Sequence, residues 1–257
     1  MATLNLREEG QAFGYKVADA EMLSGAELEA ARATWLGRMV NEHVSAQVFA
    51  GMIPQMMRAG IRPHRQAQVA TMIADELRHA RQCAGMVEAL GGEAVAEMPE
   101  IREMPQHKDT GALEALLRNV LSICCLSETV AVSLISAEHL ELQGGQIGQV
   151  LGQILGDEVQ HARFGWDLLT ELQDQIDEPM RERLGEYLVV AFRHLVEYEL
   201  DHLPARKPMS VAVTRVGVCD GLEARNLFFD TIEDVIVPGL QAQGIDGQAA
   251  WQACKAA

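Results

Sequence analysis

The sequence predicts an all-α protein, and three observations carry the prediction. Its apolar residues are mainly Ala, Leu, Val and Met, which favour helices or pack readily along them. Aromatic residues make up only 5% of the chain, and strand-like runs of Val, Ile, Tyr and Thr are scarce. Helix start and stop signals then divide most of the chain into long segments.

Ser24 followed by Glu27 reads as a capping box that opens a first amphipathic helix. This helix runs through Trp35, Met39, Val44, Val48 and Phe49 toward Pro54, where a kink or stop is expected. Pro63 suits the first position of a second helix, which ends at Gly91-Gly92. A loop rich in proline and charge follows from Glu93 to Lys108. Asp109 or Thr110 can cap a third helix that stops at Gly144-Gly145, and a fourth runs from about Gln146 to Asp174. Pro179 opens a fifth helix that ends before Pro204. A sixth spans about Asp220 to Gln243 with a bend at Pro238, and a short helix follows Asp246. The first four helices read as two hairpins joined by a longer crossover, a core over about 24–174. A helical extension over about 178–257 packs on that core, so residues 1–257 read as a single domain.

At 257 residues the chain is long enough to bury a sizeable core. Its formal net charge is −16, with 37 acidic against 21 basic residues, which makes nucleic acid and anionic membranes poor partners. The same charge suits cations, although a well-solvated surface also accounts for it. Five cysteines without a CxxC pair do not form a disulfide framework. The opening MATLNLREEG lacks a signal-peptide pattern, and no segment approaches about 18 uninterrupted apolar residues. The expectation is a reduced, cytoplasmic protein without a membrane span.

Two short motifs repeat: Asp75-Glu76-Leu77-Arg78-His79 in the second helix and Asp157-Glu158-Val159-Gln160-His161 in the fourth. Three residues of helix turn by about 300°, so each Glu and His project from neighbouring points on one face and can ligate one metal ion. One such pair is common by chance; two of them, each preceded by Asp, are not. The partner helices supply one carboxylate each, both in apolar surroundings. Glu42 lies in RMVNEHVSAQVF, 34 residues before Glu76, and Glu128 lies in CCLSETVAVSLI, 30 residues before Glu158. A carboxylate placed in an apolar helix face calls for a compensating cation.

In this order and spacing the chain resembles the ferritin-like di-iron carboxylate superfamily, in its oxygen-activating and rubrerythrin-like branch. The resemblance covers about residues 30–170 and implies a ferritin-like four-helix bundle with additional C-terminal helices. It implies Glu42, Glu76, His79, Glu128, Glu158 and His161 as ligands of two iron ions, with manganese the alternative. In the oxygen-activating members, the Asp before the Glu holds a ligand histidine by its free ring nitrogen. The resemblance therefore pairs Asp75 with His161 and Asp157 with His79, with Arg78 joining the acidic network. Cys83, four residues after His79, stands where ribonucleotide reductase small subunits carry a radical-forming tyrosine; bacterial multicomponent monooxygenases have Cys there. Cys83 and Cys124 are candidate cavity residues, with packing as the plainer reading.

His43 points about 100° away from Glu42, and His139 lies roughly 16 Å along its helix from Glu128, so neither is expected to be a ligand. Ile154 stands where N-oxygenating members carry a third histidine, and His194 and Glu197 read as the polar stripe of a C-terminal helix. The leading functional expectation is an oxidoreductase, an O2-dependent di-iron oxidase or oxygenase acting on a small organic substrate. It needs an external electron donor, and the superfamily suggests a homodimer. One alternative is a ferroxidase, or a rubrerythrin-like or manganese-catalase-like protein acting on peroxide. DELRHARQCAGMVEALGG is similar to a rubrerythrin helix, although rubredoxin-type Cys pairs are absent. A metal-free helical scaffold is the remaining alternative.

Overall fold

A computed structural model describes residues 2–100, 103–142 and 144–256. Strand β1 (Thr3–Asn5) and helix α1 (Arg7–Gln11) precede two long helices, α2 (Gly25–Arg58) and α3 (Pro63–Ala89). Strand β2 (Val95–Glu97) leads to α4 (Ala112–Val120), a π-helical turn (Leu121–Ser127) and α5 (Glu128–Glu141), which form one continuous helical rod. Then come α6 (Gln146–Glu171), α7 (Glu178–His202), the short α8 (Val211–Thr214) and α9 (Gly221–Thr231). A second π turn (Ile232–Ile236) joins α9 to α10 (Val237–Ala242), and α11 (Gly247–Ala256) follows. The architecture is the all-α bundle that the sequence predicts.

Most boundaries follow local signals. Ser24 caps α2 in a reciprocal capping box with Glu27, and Asp177 caps α7 by accepting the Met180 N–H. Three expectations need correction. Of the kink or stop expected at Pro54, the stop does not occur: α2 continues to Arg58, because packing along α3 sustains it past the missing N–H. The third helix is capped by neither Asp109 nor Thr110; Gly111 is its N-cap, and Asp109 turns instead to Arg118 at 2.8 Å. The Glu93–Lys108 segment is not all loop, since β2 pairs antiparallel with β1 in the register Leu4↔Ala96. Strands of three residues are too short to leave a period in the sequence. Near Pro238, where a bend is expected, the helix widens into the π turn Ile232–Ile236, as a proline that cannot donate to the preceding turn allows.

The rod Ala112–Glu141 is, among the described residues, the one helix long and apolar enough to cross a membrane. Here it packs against α6, α7 and α2 and carries Glu128 into the bundle.

Two apolar clusters form the core. One gathers Phe49, Met52, Val69, Leu116, Leu121 and Phe164 together with Leu188, Phe228 and Trp251 of the C-terminal helices. The other gathers Trp35, Met39, Cys83, Met86, Leu151 and Ile154. On α2, α3 and α6 the switch from one cluster to the other falls at Glu42, at Glu76 and His79, and at Glu158 and His161. The bundle is thus divided by a buried polar layer, and that layer is the site described next.

Candidate metal centre

Four elements bring six side chains into this layer: Glu42 from α2, Glu76 and His79 from α3, Glu128 from the start of α5, and Glu158 and His161 from α6. Their ligand-type atoms form two overlapping groups, Glu42–Glu76–His79–Glu158 and Glu76–Glu128–Glu158–His161, each with all its atoms within 4.8 Å of one another. Glu76 and Glu158 belong to both groups. Nδ1 of His79 lies 3.3 Å from Glu158 Oε1, 3.4 Å from Glu42 Oε2 and 4.0 Å from Glu76 Oε2. Nδ1 of His161 lies 3.0 Å from Glu158 Oε2 and 3.1 Å from Glu76 Oε1.

The far ring nitrogens are held from behind. His79 Nε2 is 3.0 Å from Asp157 Oδ2, and His161 Nε2 is 3.5 Å from Asp75 Oδ2. Arg78 joins both aspartates, at 2.8 Å from Asp75 and 2.7 Å from Asp157. Each imidazole is therefore oriented with Nδ1 inward, the arrangement that fixes a ligand tautomer. The structure brings Asp75 and Asp157 together with the opposite histidines, in the pairing the resemblance implies. Phe49, fully buried, meets the His161 ring edge-on at 5.4 Å.

The donor set fits metal ions on three counts. His79 Nδ1 is buried without a hydrogen-bond partner although two carboxylates lie within 3.4 Å of it. Neighbouring donors about 2.1 Å from one shared ion sit roughly 3.0–3.4 Å apart, which is the spacing seen here. Four carboxylates crowd one layer, with Glu76, Glu128 and Glu158 buried, and two divalent cations would balance them.

Without such cations, protons take up the imbalance. Burial and the nearby Glu158 and Glu42 push the Glu76 carboxyl well above the ordinary range, and burial and Glu158 do the same to Glu128. Glu158 goes the other way: burial favours its protonated form, but contacts with His161 and His79 outweigh it and hold the group low. Burial opposes charge on His79, yet Glu158 and Glu42 prevail and raise its pKa to about 11. Burial likewise opposes charge on His161, and Glu158 raises its pKa. Metal loading must displace these protons. We therefore expect uptake of a divalent metal ion to release protons and its affinity to rise with pH, measurable by titration in buffers of different ionisation enthalpy. The metal-free fold binds more protons at His79 than the unfolded chain, whose value is near 6.5. The stabilisation from His79 is thus complete below about 6.5 and is lost as pH rises through about 11. Metal-free protein should lose stability between neutral and alkaline pH while loaded protein keeps it; parallel curves would contradict this.

Cys83 and Cys124 are fully buried. Burial and Glu42 push the Cys83 thiol well up, and burial, Cys125 and Glu128 do so for Cys124, so both stay neutral. His43 is in neither group of ligand atoms. His139 donates through Nδ1 to the Gly148 carbonyl at 2.9 Å, His194 stacks on Tyr198, and Ile154 lies in the apolar core.

Sequence reasoning did not foresee the π turn immediately before Glu128 or the glycine that accommodates it. A Cβ at Gly165 would stand 2.5 Å from Cys124 Cβ and 2.9 Å from Cys125 Sγ. The absent side chain leaves room for the widened turn that sets where Glu128 enters the layer. The available signal is the repeat itself: the position four after His79 is Cys83, whereas the position four after His161 is Gly165. Gly165→Ala is expected to destabilise the protein by about 1–3 kcal/mol through overpacking and to weaken metal binding. Urea unfolding with metal titration checks both, and a variant indistinguishable from wild type would remove this role from Gly165.

The paired long helices and the Glu/His layer between them define a bundle of the ferritin-like fold, and the layer could hold metal. No protein-family model and no curated protein sequence matches the chain. Among solved structures it is similar to "Protein 19 with aldehyde deformylating oxidase activity" from Synechococcus. The TM-score is 0.63 at 17% identity, over 94% of this chain and 100% of that one. At this identity the likeness shows the fold.

Proposed function

We propose that this protein is a di-iron oxidoreductase, an O2-dependent oxidase or oxygenase acting on a small organic substrate. The observation that carries the reading is the pair of overlapping ligand groups sharing Glu76 and Glu158, with each histidine backed by an aspartate. Support comes also from the solved structure with aldehyde deformylating oxidase activity, which aligns over nearly the whole chain. Aldehydes are therefore the first substrates to test.

Two iron ions held in the layer would supply two-electron chemistry toward dioxygen. The chain's own residues do the rest. Glu42, Glu76 and His79 would hold one ion and Glu128, Glu158 and His161 the other, with Glu76 and Glu158 common to both groups of ligand atoms. Asp157 and Asp75 accept from Nε2 of the two histidines and keep Nδ1 directed inward. Phe49, Cys83 and Cys124, all fully buried, limit water around the layer. An external electron donor completes the cycle, since the chain carries no rubredoxin-type Cys pairs.

The test is anaerobic titration of metal-free protein with Fe(II), in wild type and in Glu128→Ala. A break near two ions per chain, lowered in the variant, is the expected result. Oxygen and an aldehyde series are then added with a chemical reductant, and organic product is measured. Failure to bind Fe(II) would sink the iron assignment, and tight Mn(II) binding instead would make manganese the metal. Iron or peroxide turnover without any organic product would replace the oxygenase reading with a ferroxidase or peroxidase.

A further inference from the structure

A cavity of about 260 Å³ opens at the end of the bundle where α2 finishes, the loop before α4 crosses and α4 begins. Arg58, His107 and Lys108 line it, with Gln55, Gln106 and Thr110. No carboxylate lines it among the described residues, in a chain with 37 acidic against 21 basic residues. The acids nearest in sequence face elsewhere: Asp109 pairs with Arg118, and Glu114 with Arg118 and Arg183, each at 2.8 Å. Among the described residues, Arg58 donates to the neutral Gln106 Oε1, at 2.8 Å. Neither Arg58 nor Lys108 has a carboxylate within ion-pair distance among the described residues. Two cations thus share one concave wall without counter-charge.

The wall is held in shape from below. Gln55 and Asn119 are almost fully buried; Asn119 Nδ2 donates to Gln55 Oε1 at 2.7 Å and to the Pro105 carbonyl at 2.9 Å. Gln55 Nε2 donates to the same carbonyl at 3.0 Å. The His107 ring lies 3.2 Å from Asn119 Oδ1 through Nε2 and meets Tyr187 edge-on, which leaves Nδ1 as its other polar atom. Ala112, the first residue of α4, also lines the cavity, and no side chain caps that helix end.

We propose that this cavity binds a small phosphate-bearing molecule. A guanidinium fork, an ammonium and a hydroxyl on one wall match the several oxygens of a phosphate better than the two of a carboxylate. The open end of a long helix adds to the same preference. The volume lies near the lower end of the range for small-molecule sites, about 300–1,000 Å³. The net charge of −16 makes a nucleic-acid backbone a poor occupant. The site is separate from the metal layer and independent of its chemistry.

The test is calorimetric titration of inorganic phosphate into the full metal-free chain at neutral pH and low salt. Wild type is compared with Arg58→Gln, Lys108→Gln and the double variant. Both side chains are exposed, so the variants should keep the wild-type melting temperature and Fe(II) stoichiometry. Saturable binding at one site per chain is expected, weakened about tenfold or more in the double variant. Absence of saturable binding to wild type, or unchanged affinity in the double variant, overturns the site. Acetate binding as tightly as phosphate overturns the phosphate assignment.

Discussion

Glu158→Ala is expected to leave the protein without either metal ion, whereas Glu42→Ala is expected to retain one. The difference follows from where the two carboxylates stand. Glu158 places Oε1 3.3 Å from His79 Nδ1 and Oε2 3.0 Å from His161 Nδ1, so it belongs to both ligand groups. Glu42 belongs to one. Removing a shared carboxylate takes a donor from both ions at once, and one of the four negative charges that would balance them. It also leaves His79 and His161 without the carboxylate that both Nδ1 atoms face. Removing Glu42 opens one ion and leaves Glu76, Glu128, Glu158 and His161 complete. Metal analysis of protein reconstituted with Fe(II) and freed of excess ion measures the outcome: near zero for Glu158→Ala, near one for Glu42→Ala. Equal retention in the two variants would show that Glu158 does not bridge.

Trp35→Ala is expected to destabilise the fold by about 3–5 kcal/mol, among the largest losses for a single core truncation. Trp35 is fully buried in the cluster with Met39 and Cys83. Its Nε1–H donates to the Val216 carbonyl at 2.8 Å, tying α2 to the segment after α8, 181 residues later. Gly217, at φ 91°, comes so close that a Cβ there would lie 3.0 Å from the indole, and the Arg38 guanidinium sits 5.0 Å from the ring. Truncation would therefore open a cavity and leave a buried carbonyl unpaired. For a chain of this length the melting temperature should fall by roughly 6–20 °C. Trp35→Phe keeps most of the volume and should lose about 1 kcal/mol, chiefly the hydrogen bond. Denaturant unfolding of both variants checks the order, and a loss below 1 kcal/mol in Trp35→Ala would contradict this account of the packing.

The sequence was sufficient for the helices and for the candidate ligands, and the reason is that both are governed by local spacing. Ser24 with Glu27, Pro63, Gly91 and Pro179 act within the first and last helical turns, which involve residues close in the chain. Glu76 with His79 and Glu158 with His161 share a helix face because three residues bring them there, whatever the tertiary fold. Tertiary structure alone decided what depends on two distant segments meeting. Pro54 did not end α2, because packing on α3 sustains the helix. Asp109 did not cap α4, because Arg118 drew it away. The strands at Leu4 and Ala96 exist only through each other, 92 residues apart. The π turn before Glu128 rests on the missing side chain at Gly165, in another helix. That Glu76 and Glu158, rather than Glu42 and Glu128, stand between the two histidines is likewise a matter of how α3 and α6 face one another across the bundle. Spacing along the chain could nominate four carboxylates, but only the distances between helices could divide them into shared and unshared.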